Sequence, residues 1–236
     1  MENKSVWLIA AKTNLHVGDE NTSNYGLIDK SIQRDALTGL PCINSSSLKG
    51  ALNEYFAIES KVKIDLVKVF GSDKTPQGKN KDTQKGSYAF FDANILFLPV
   101  QGSNELFYWA TCDAVLNNYR ERLKLFGLDS ESDLDRLIIQ LKTKLGKNNI
   151  RVDRIPDEKR FMELCDDDNL PIIARNKLDN GESANLWYEQ ILPQETVFYT
   201  LFLSKEKLIE DILNNQIVQI GANATIGYGY CKFQKL

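Results

Sequence analysis

Histidine is almost missing from this 236-residue chain: His16 is the single one. A multi-histidine metal site is thereby excluded, and a Ser-His-Asp triad or Cys-His dyad could form only around that one residue. Any metal would have to be held by carboxylates, which favours a hard cation such as magnesium or manganese. Cysteine is sparse, and Cys42, Cys112, Cys165 and Cys231 include no C-x-x-C pair. Scattered cysteines of this kind suit small buried hydrophobes better than zinc or disulfides. No run of eighteen apolar residues occurs, so no membrane span is expected. The opening Met1-Glu2-Asn3-Lys4-Ser5 lacks the basic flank and apolar stretch of a signal peptide, and a cytoplasmic location follows as the expectation. Repeats and low-complexity tracts are lacking too.

The composition present is that of one globular domain, 42% hydrophobic and 26% charged, with a net charge of −3. A free-standing nucleic-acid binder is usually basic, so the bulk charge argues mildly against one. The signs are segregated, however. Seven lysines fall between Lys61 and Lys85 against Asp65, Asp73 and Asp82, while Asp129 to Asp135 and Asp157 to Asp168 are acidic. Solvated surface explains either patch alone, and subunits that pack together around RNA explain both.

Apolar runs give the elements. Ser5 to Ala11 reads as a first strand. Ser45-Ser46-Ser47 supplies helix caps before Leu48, Leu52, Tyr55 and Phe56, a helical stripe. Residues 18–44 and 71–86 read as two mobile loops. Tyr88 to Val100 reads as strand, Cys112 to Phe126 as helix, and Ser132 to Leu145 as a helix stopped at Gly146. Residues 148–190, mostly polar, read as an insertion of extended arms. Thr196 to Leu203 is a strand by composition, Ser204 caps a helix through Leu213, and Ile217 to Phe233 closes with strands. Without insertions, strand-helix-strand occurs twice, the order of an α+β, ferredoxin-like split βαβ fold in a single domain, 1–236. RNA recognition motifs use such a sheet, but their aromatic octapeptide is absent.

Four segments carry a resemblance. They are Leu15-His16-Val17-Gly18 with Gly26-Leu27-Ile28-Asp29, Ile32-Gln33-Arg34-Asp35 and Thr38-Gly39-Leu40-Pro41; Ser45 to Leu52; Phe70-Gly71 with Phe91-Asp92-Ala93; and Gln219 to Gly229. Together they resemble the RAMP superfamily of CRISPR proteins, whose C-terminal glycine-rich loop the last segment matches. Phe107 to Cys112 and Leu186 to Pro193 resemble the backbone subunit of the type III-B Cmr effector complex, its fourth RAMP component. The match is weakest between Asp129 and Asn185. Asp19-Glu20 stands where small residues are usual, and Asn44 and Ala222 where glycine is.

The resemblance implies a subunit that polymerises with copies of itself and other Cmr subunits along a CRISPR guide RNA, and cuts complementary target RNA at regular intervals. A thumb-like hairpin, expected within about 152–184, would displace one target base per subunit. Asp29 occupies the position of the family's cleaving aspartate. A divalent ion, magnesium or manganese, is expected on it, since a carboxylate can act as base or hold such an ion. RNA-binding roles are implied for His16, Arg34, Ser45, Ser46, Lys49, Gly221, Thr225 and Gly227. Each has a plainer reading: His16 buried on a backbone bond, Arg34 paired with Asp35 or Asp29, Lys49 on the surface of a capped helix, the glycines in a bulged hairpin. Glu189 could supply a second carboxylate. Two alternatives stay open: a guide-binding scaffold that does not cut, and an unrelated ferredoxin-like enzyme or adaptor.

Overall fold

The computed structural model describes residues 2–18, 28–72, 84–180 and 182–236. Strand β1 (Asn3–Ala11) is followed by the short β2 (Cys42–Ile43), α1 (Ser45–Glu54), a π-helical turn (Tyr55–Glu59) and α2 (Leu66–Phe70). Then come β3 (Tyr88–Phe90), β4 (Ala93–Gln101), β5 (Phe107–Cys112), α3 (Asp113–Leu125), α4 (Leu134–Leu145), β6 (Val152–Ile155) and α5 (Glu158–Leu164). The chain closes with β7 (Ile172–Asp179), β8 (Glu182–Gln190), β9 (Val197–Ser204), α6 (Glu210–Leu213), β10 (Ile217–Gln219), a 3₁₀ turn (Ala224–Ile226) and β11 (Tyr230–Lys235).

The architecture is mixed α/β around one large sheet, ordered β10-β11-β1-β9-β4-β5-β6, with β2 added to β4 and β3 to β9. β1 is central, antiparallel to both β9 and β11. Both of its faces are covered, so Val6 to Ala11 form an unbroken buried run rather than an alternating one. On one face the rings of Phe56, Phe70, Phe90, Phe202 and Trp7 form a chain, with centroid separations of 6.3, 5.4, 4.9 and 5.5 Å. On the other, Tyr119 of α3 meets Tyr199 edge-on at 4.9 Å. All four cysteines are buried.

Three elements differ from the sequence expectation, each for a tertiary reason. Cys112 does not open the helix expected from Cys112 to Phe126 but ends the strand Phe107–Cys112, fixed by β4 on one side and by parallel pairing of Trp109–Cys112 with Val152–Ile155 on the other. Ser204 does not start a helix; it ends β9, paired with Asn3, and residues 205–209 wrap around Tyr88, whose hydroxyl accepts from the Leu208 N–H and donates to Glu206 O. The 152–184 stretch divides in three: β6 belongs to the main sheet, α5 packs near it, and a separate two-stranded hairpin, β7–β8, runs from Ile172 to Gln190. Of the two expected mobile loops, residues 19–27 and 73–83 lie outside the described residues, Asp19, Glu20, Gly26 and Leu27 among them. Residues 28–44 are tied to β8 by the Lys30–Glu189 bridge, locally by bridges at Gly18–Ile32 and Arg34–Pro41, and to the large sheet by β2 pairing with β4. Among the described residues, no helix is long and apolar enough to cross a membrane.

Candidate active site and RNA interface

At one end of the hairpin, the segment 28–34 lies alongside β8 like a short extra strand. The Asp29 N–H donates to Tyr188 O at 3.0 Å, and Gln190 N–H donates to Lys30 O at 2.9 Å. The Asp29 side chain is exposed, and its Oδ2 accepts the Tyr188 backbone N–H at 2.7 Å. Oδ1 has no hydrogen-bond partner among the described residues. Backbone contacts in both directions thus hold the carboxylate at the hairpin root with one oxygen facing outward.

Beneath it sits Glu189, only 1% exposed. Its Oε1 accepts from Trp187 Nε1 at 2.7 Å and from Lys30 Nζ at 3.1 Å; its Oε2 accepts from Asn223 Nδ2 at 2.7 Å and Arg175 Nε at 3.3 Å. Burial pushes this carboxyl up, but the donors Trp187, Lys30 and Asn223 and the nearby His16 outweigh it and leave its pKa at about 2. One buried anion therefore joins the hairpin, the Asp29 segment and the C-terminal loop.

His16 is buried, 2% exposed, and its Nδ1 lies 2.7 Å from Gln190 O, which as a carbonyl can only accept, so Nδ1 carries the hydrogen. Its own carbonyl accepts from the Ala222 N–H at 2.9 Å. Gly221 has φ +81, and a Cβ there would come within 2.3 Å of His16 O. Gly221→Ala should therefore shift the loop and cost at least the roughly 1–2 kcal/mol of a left-handed non-glycine residue. A lower melting temperature checks this; an unchanged one would mean the loop does not need the close approach.

Arg34 does not pair with Asp29 or Asp35. Its Nη2 donates to Asp167 Oδ1 at 2.7 Å and its Nη1 to Gly39 O at 2.9 Å. Asp35 instead closes its own turn, accepting from the Leu37 and Thr38 N–H groups and the Thr38 hydroxyl. At the start of α1, Asp92 Oδ1 takes the Ser45 N–H at 2.6 Å, and Gln33 bridges Gly18 O, Ser47 Oγ and the Asn44 N–H. Ser46 and Lys49 are exposed, as are Gly221, Thr225 and Gly227, and the last has φ +83. The structure thus groups Asp29, His16 and Gly221 around Glu189, with Gln33 linking Asp29's segment to α1. Sequence reasoning gave no role to Tyr188, Gln190, Asn223 and Gln33, although they lie in the segments that carry the resemblance, and it passed over Arg175 altogether. Among the described residues, no group of three or more His, Cys, Asp or Glu side chains converges as a metal site. A cavity of about 400 Å³ lies elsewhere, between α3, α5 and the 35–41 turn, and none of the candidate residues lines it.

A hairpin stands off the large sheet, rooted beside an exposed aspartate and a glycine-rich loop. The RAMP superfamily model matches residues 8–232, and the chain belongs to that superfamily. Within it the chain is 27% identical to the CRISPR system Cmr endoribonuclease Cmr4 of Pyrococcus furiosus, over 88% of each protein. Two solved structures share its fold. A type III-B Cmr-beta complex bound to cognate target RNA contains a chain matching at TM-score 0.72 and 23% identity, covering 99% of this chain and 97% of that one. Oligomeric Cmr4 from Pyrococcus furiosus matches at TM-score 0.73 and 23% identity, covering 99% and 98%.

Proposed function

We propose that this chain is a Cmr4-type backbone subunit of a type III-B CRISPR effector complex, which binds the guide RNA alongside further copies of itself and other Cmr subunits and cuts target RNA with Asp29. The observation carrying this reading is the Asp29 carboxylate, exposed and pinned to the root of a protruding hairpin. The endoribonuclease name of the Pyrococcus relative supports the chemistry, and the target-bound and oligomeric structures support the partners. The order β11-β1-β9-β4, with α1 after β1 and α6 after β9, supports a ferredoxin-like core. The β7–β8 hairpin takes the part of the thumb.

Cleavage would proceed by attack of a target 2′-oxygen on the adjacent phosphorus. The P–O5′ bond breaks and the departing 5′-oxygen takes a proton from solvent water, leaving a 2′,3′-cyclic phosphate and a 5′-hydroxyl. Asp29 would accept the 2′ proton or hold a divalent ion. Its Oδ1, without a hydrogen-bond partner among the described residues, fits such an ion, because magnesium is commonly held by one or two carboxylates plus substrate phosphates and water. An ion bound there would supply positive charge against the phosphate. His16, buried on the Gln190 carbonyl, would support the loop at Gly221 and Ala222 rather than touch the reacting atoms. Ser45, Ser46 and Lys49 on α1, with Gly221, Thr225 and Gly227, would line the guide backbone. Asp92 already occupies the Ser45 N–H, so phosphate would meet Lys49 and the rest of the first turn. Arg34 would reach RNA only by leaving Asp167.

A target carrying a single 2′-deoxy nucleotide at the cut site tests the attack: cutting there should stop and persist at the other sites. Undiminished cutting at that linkage would exclude the 2′-oxygen. Chelation should slow the remaining cuts and added magnesium restore them, whereas indifference to chelator would leave Asp29 as a base alone.

A further inference from the structure

The hairpin's exposed length is steadied only at its root. From residue 176 to 186 the described side chains are exposed on both faces, so the root contacts set the direction in which the hairpin points. Asp29 rides on that root, because its backbone and carboxylate both bond to Tyr188 of β8. Any tilt of the hairpin therefore carries the carboxylate with it.

Arg175, opposite Trp187 in the hairpin register, resists such a tilt. Its Nε reaches Glu189 Oε2, and its guanidinium lies over the Tyr228 ring, 4.6 Å from the centroid. The side chain thus runs from β7 across the shared carboxylate to the C-terminal loop. A planar cation can stack on a ring and donate in its own plane at the same time, which an ammonium cannot. Its Nη2 is buried without a hydrogen-bond partner among the described residues, so the stack and the Glu189 bond are the contacts that hold the group.

We propose that Arg175 is a positioning residue for target cleavage: by clamping the hairpin root to Tyr228 and Glu189 it fixes where Asp29 meets the target, and so which phosphodiester is cut. This inference rests on the assignment of cleavage to Asp29. Geometry matters steeply in such reactions, and a displacement of about 1 Å can cost on the order of a hundredfold in rate.

Complexes reconstituted with guide RNA and end-labelled target, with cuts mapped at nucleotide resolution under saturating target, test it. Arg175→Ala should slow cutting on the order of tenfold to a hundredfold and spread the cuts to neighbouring linkages, with target affinity unchanged. Arg175→Lys, which keeps a charge for Glu189 but no plane for Tyr228, should recover part of the rate with the cuts still spread. Tyr228→Leu leaves the Arg175–Glu189 pair in place and should give the same spread pattern, while Tyr228→Phe keeps the ring and should restore the wild-type one. These Tyr228 variants decide the matter if Arg175→Ala does not assemble. Wild-type cut positions in Arg175→Lys and Tyr228→Leu would overturn the proposal, as would a loss of assembled complex with no movement of the cuts. Asp29→Ala, run alongside, separates the two assignments: if it cuts normally, the assignment to Asp29 fails; if it is inactive while the clamp variants cut as wild type, only the clamp falls.

Discussion

Complexes assembled with Asp29→Ala should bind guide and target like wild type and cut on the order of 10²–10⁴-fold more slowly, the range expected for removing a positioned base. Binding should survive because the side chain is exposed and its one hydrogen bond among the described residues is to a backbone N–H already close to solvent. Surface substitutions of this kind usually change stability by less than about 0.5 kcal/mol. Asp29→Asn keeps an acceptor for the Tyr188 N–H but loses the charge, and should be as slow as alanine. Full cutting by asparagine would mean that the residue positions a loop and does no chemistry. Full cutting by both variants would mean that Asp29 is not the cleaving residue. Quantifying product against bound target separates these outcomes.

Glu189→Ala should be the most destabilising single change in the site. It strips the acceptor from Trp187 Nε1 and Asn223 Nδ2 and leaves Arg175, whose side chain is only 18% exposed, as a nearly buried cation without its carboxylate. Breaking a buried pair from one side costs about 3–5 kcal/mol, which in a domain of this size lowers the melting temperature by on the order of 10 °C. Glu189→Gln keeps the shape and should lose less. Acid should erase the difference between Gln and wild type. The folded carboxyl titrates near 2, below its ordinary 4.5, so its stabilising effect is complete above 4.5 and lost as pH falls toward 2. Thermal melts of both proteins across that interval should converge. Parallel curves would show that the charge is not what stabilises the site.

The parts of the fold that the sequence reveals are those built from local pattern. The buried run at Val6–Ala11, the stripe Leu48–Phe56, and Leu137–Leu145 stopped by Gly146 at φ +68 follow from apolar spacing and a left-handed glycine. What pattern misses is long-range. β6 reads as polar loop because it is a sheet-edge strand whose Arg154 is spent on Asp113 and Asp135, and its partner β5 lies some forty residues earlier. The site divides the same way. Asp29, His16 and the Gly221 loop are visible as a set because their residues resemble a family's motifs. Their placement depends on Glu189, which the sequence offers only as a possible second carboxylate, and on Gln190, Gln33 and Arg175, polar residues whose roles arise when strands far apart in sequence meet. Asp29 beside Arg34 suggests a local ion pair; the backbone path instead turns Arg34 to Asp167 and leaves Asp29 on Tyr188.

A structure of the assembled complex holding guide RNA and a target made uncleavable by 2′-deoxy substitution tests the central claim most directly. The Asp29 carboxylate should lie within hydrogen-bond or one-water reach of the 2′ position at the cut site, beside a base displaced by the β7–β8 hairpin. A scissile linkage lying against a different side chain, with Asp29 facing away from the RNA, would contradict the assignment.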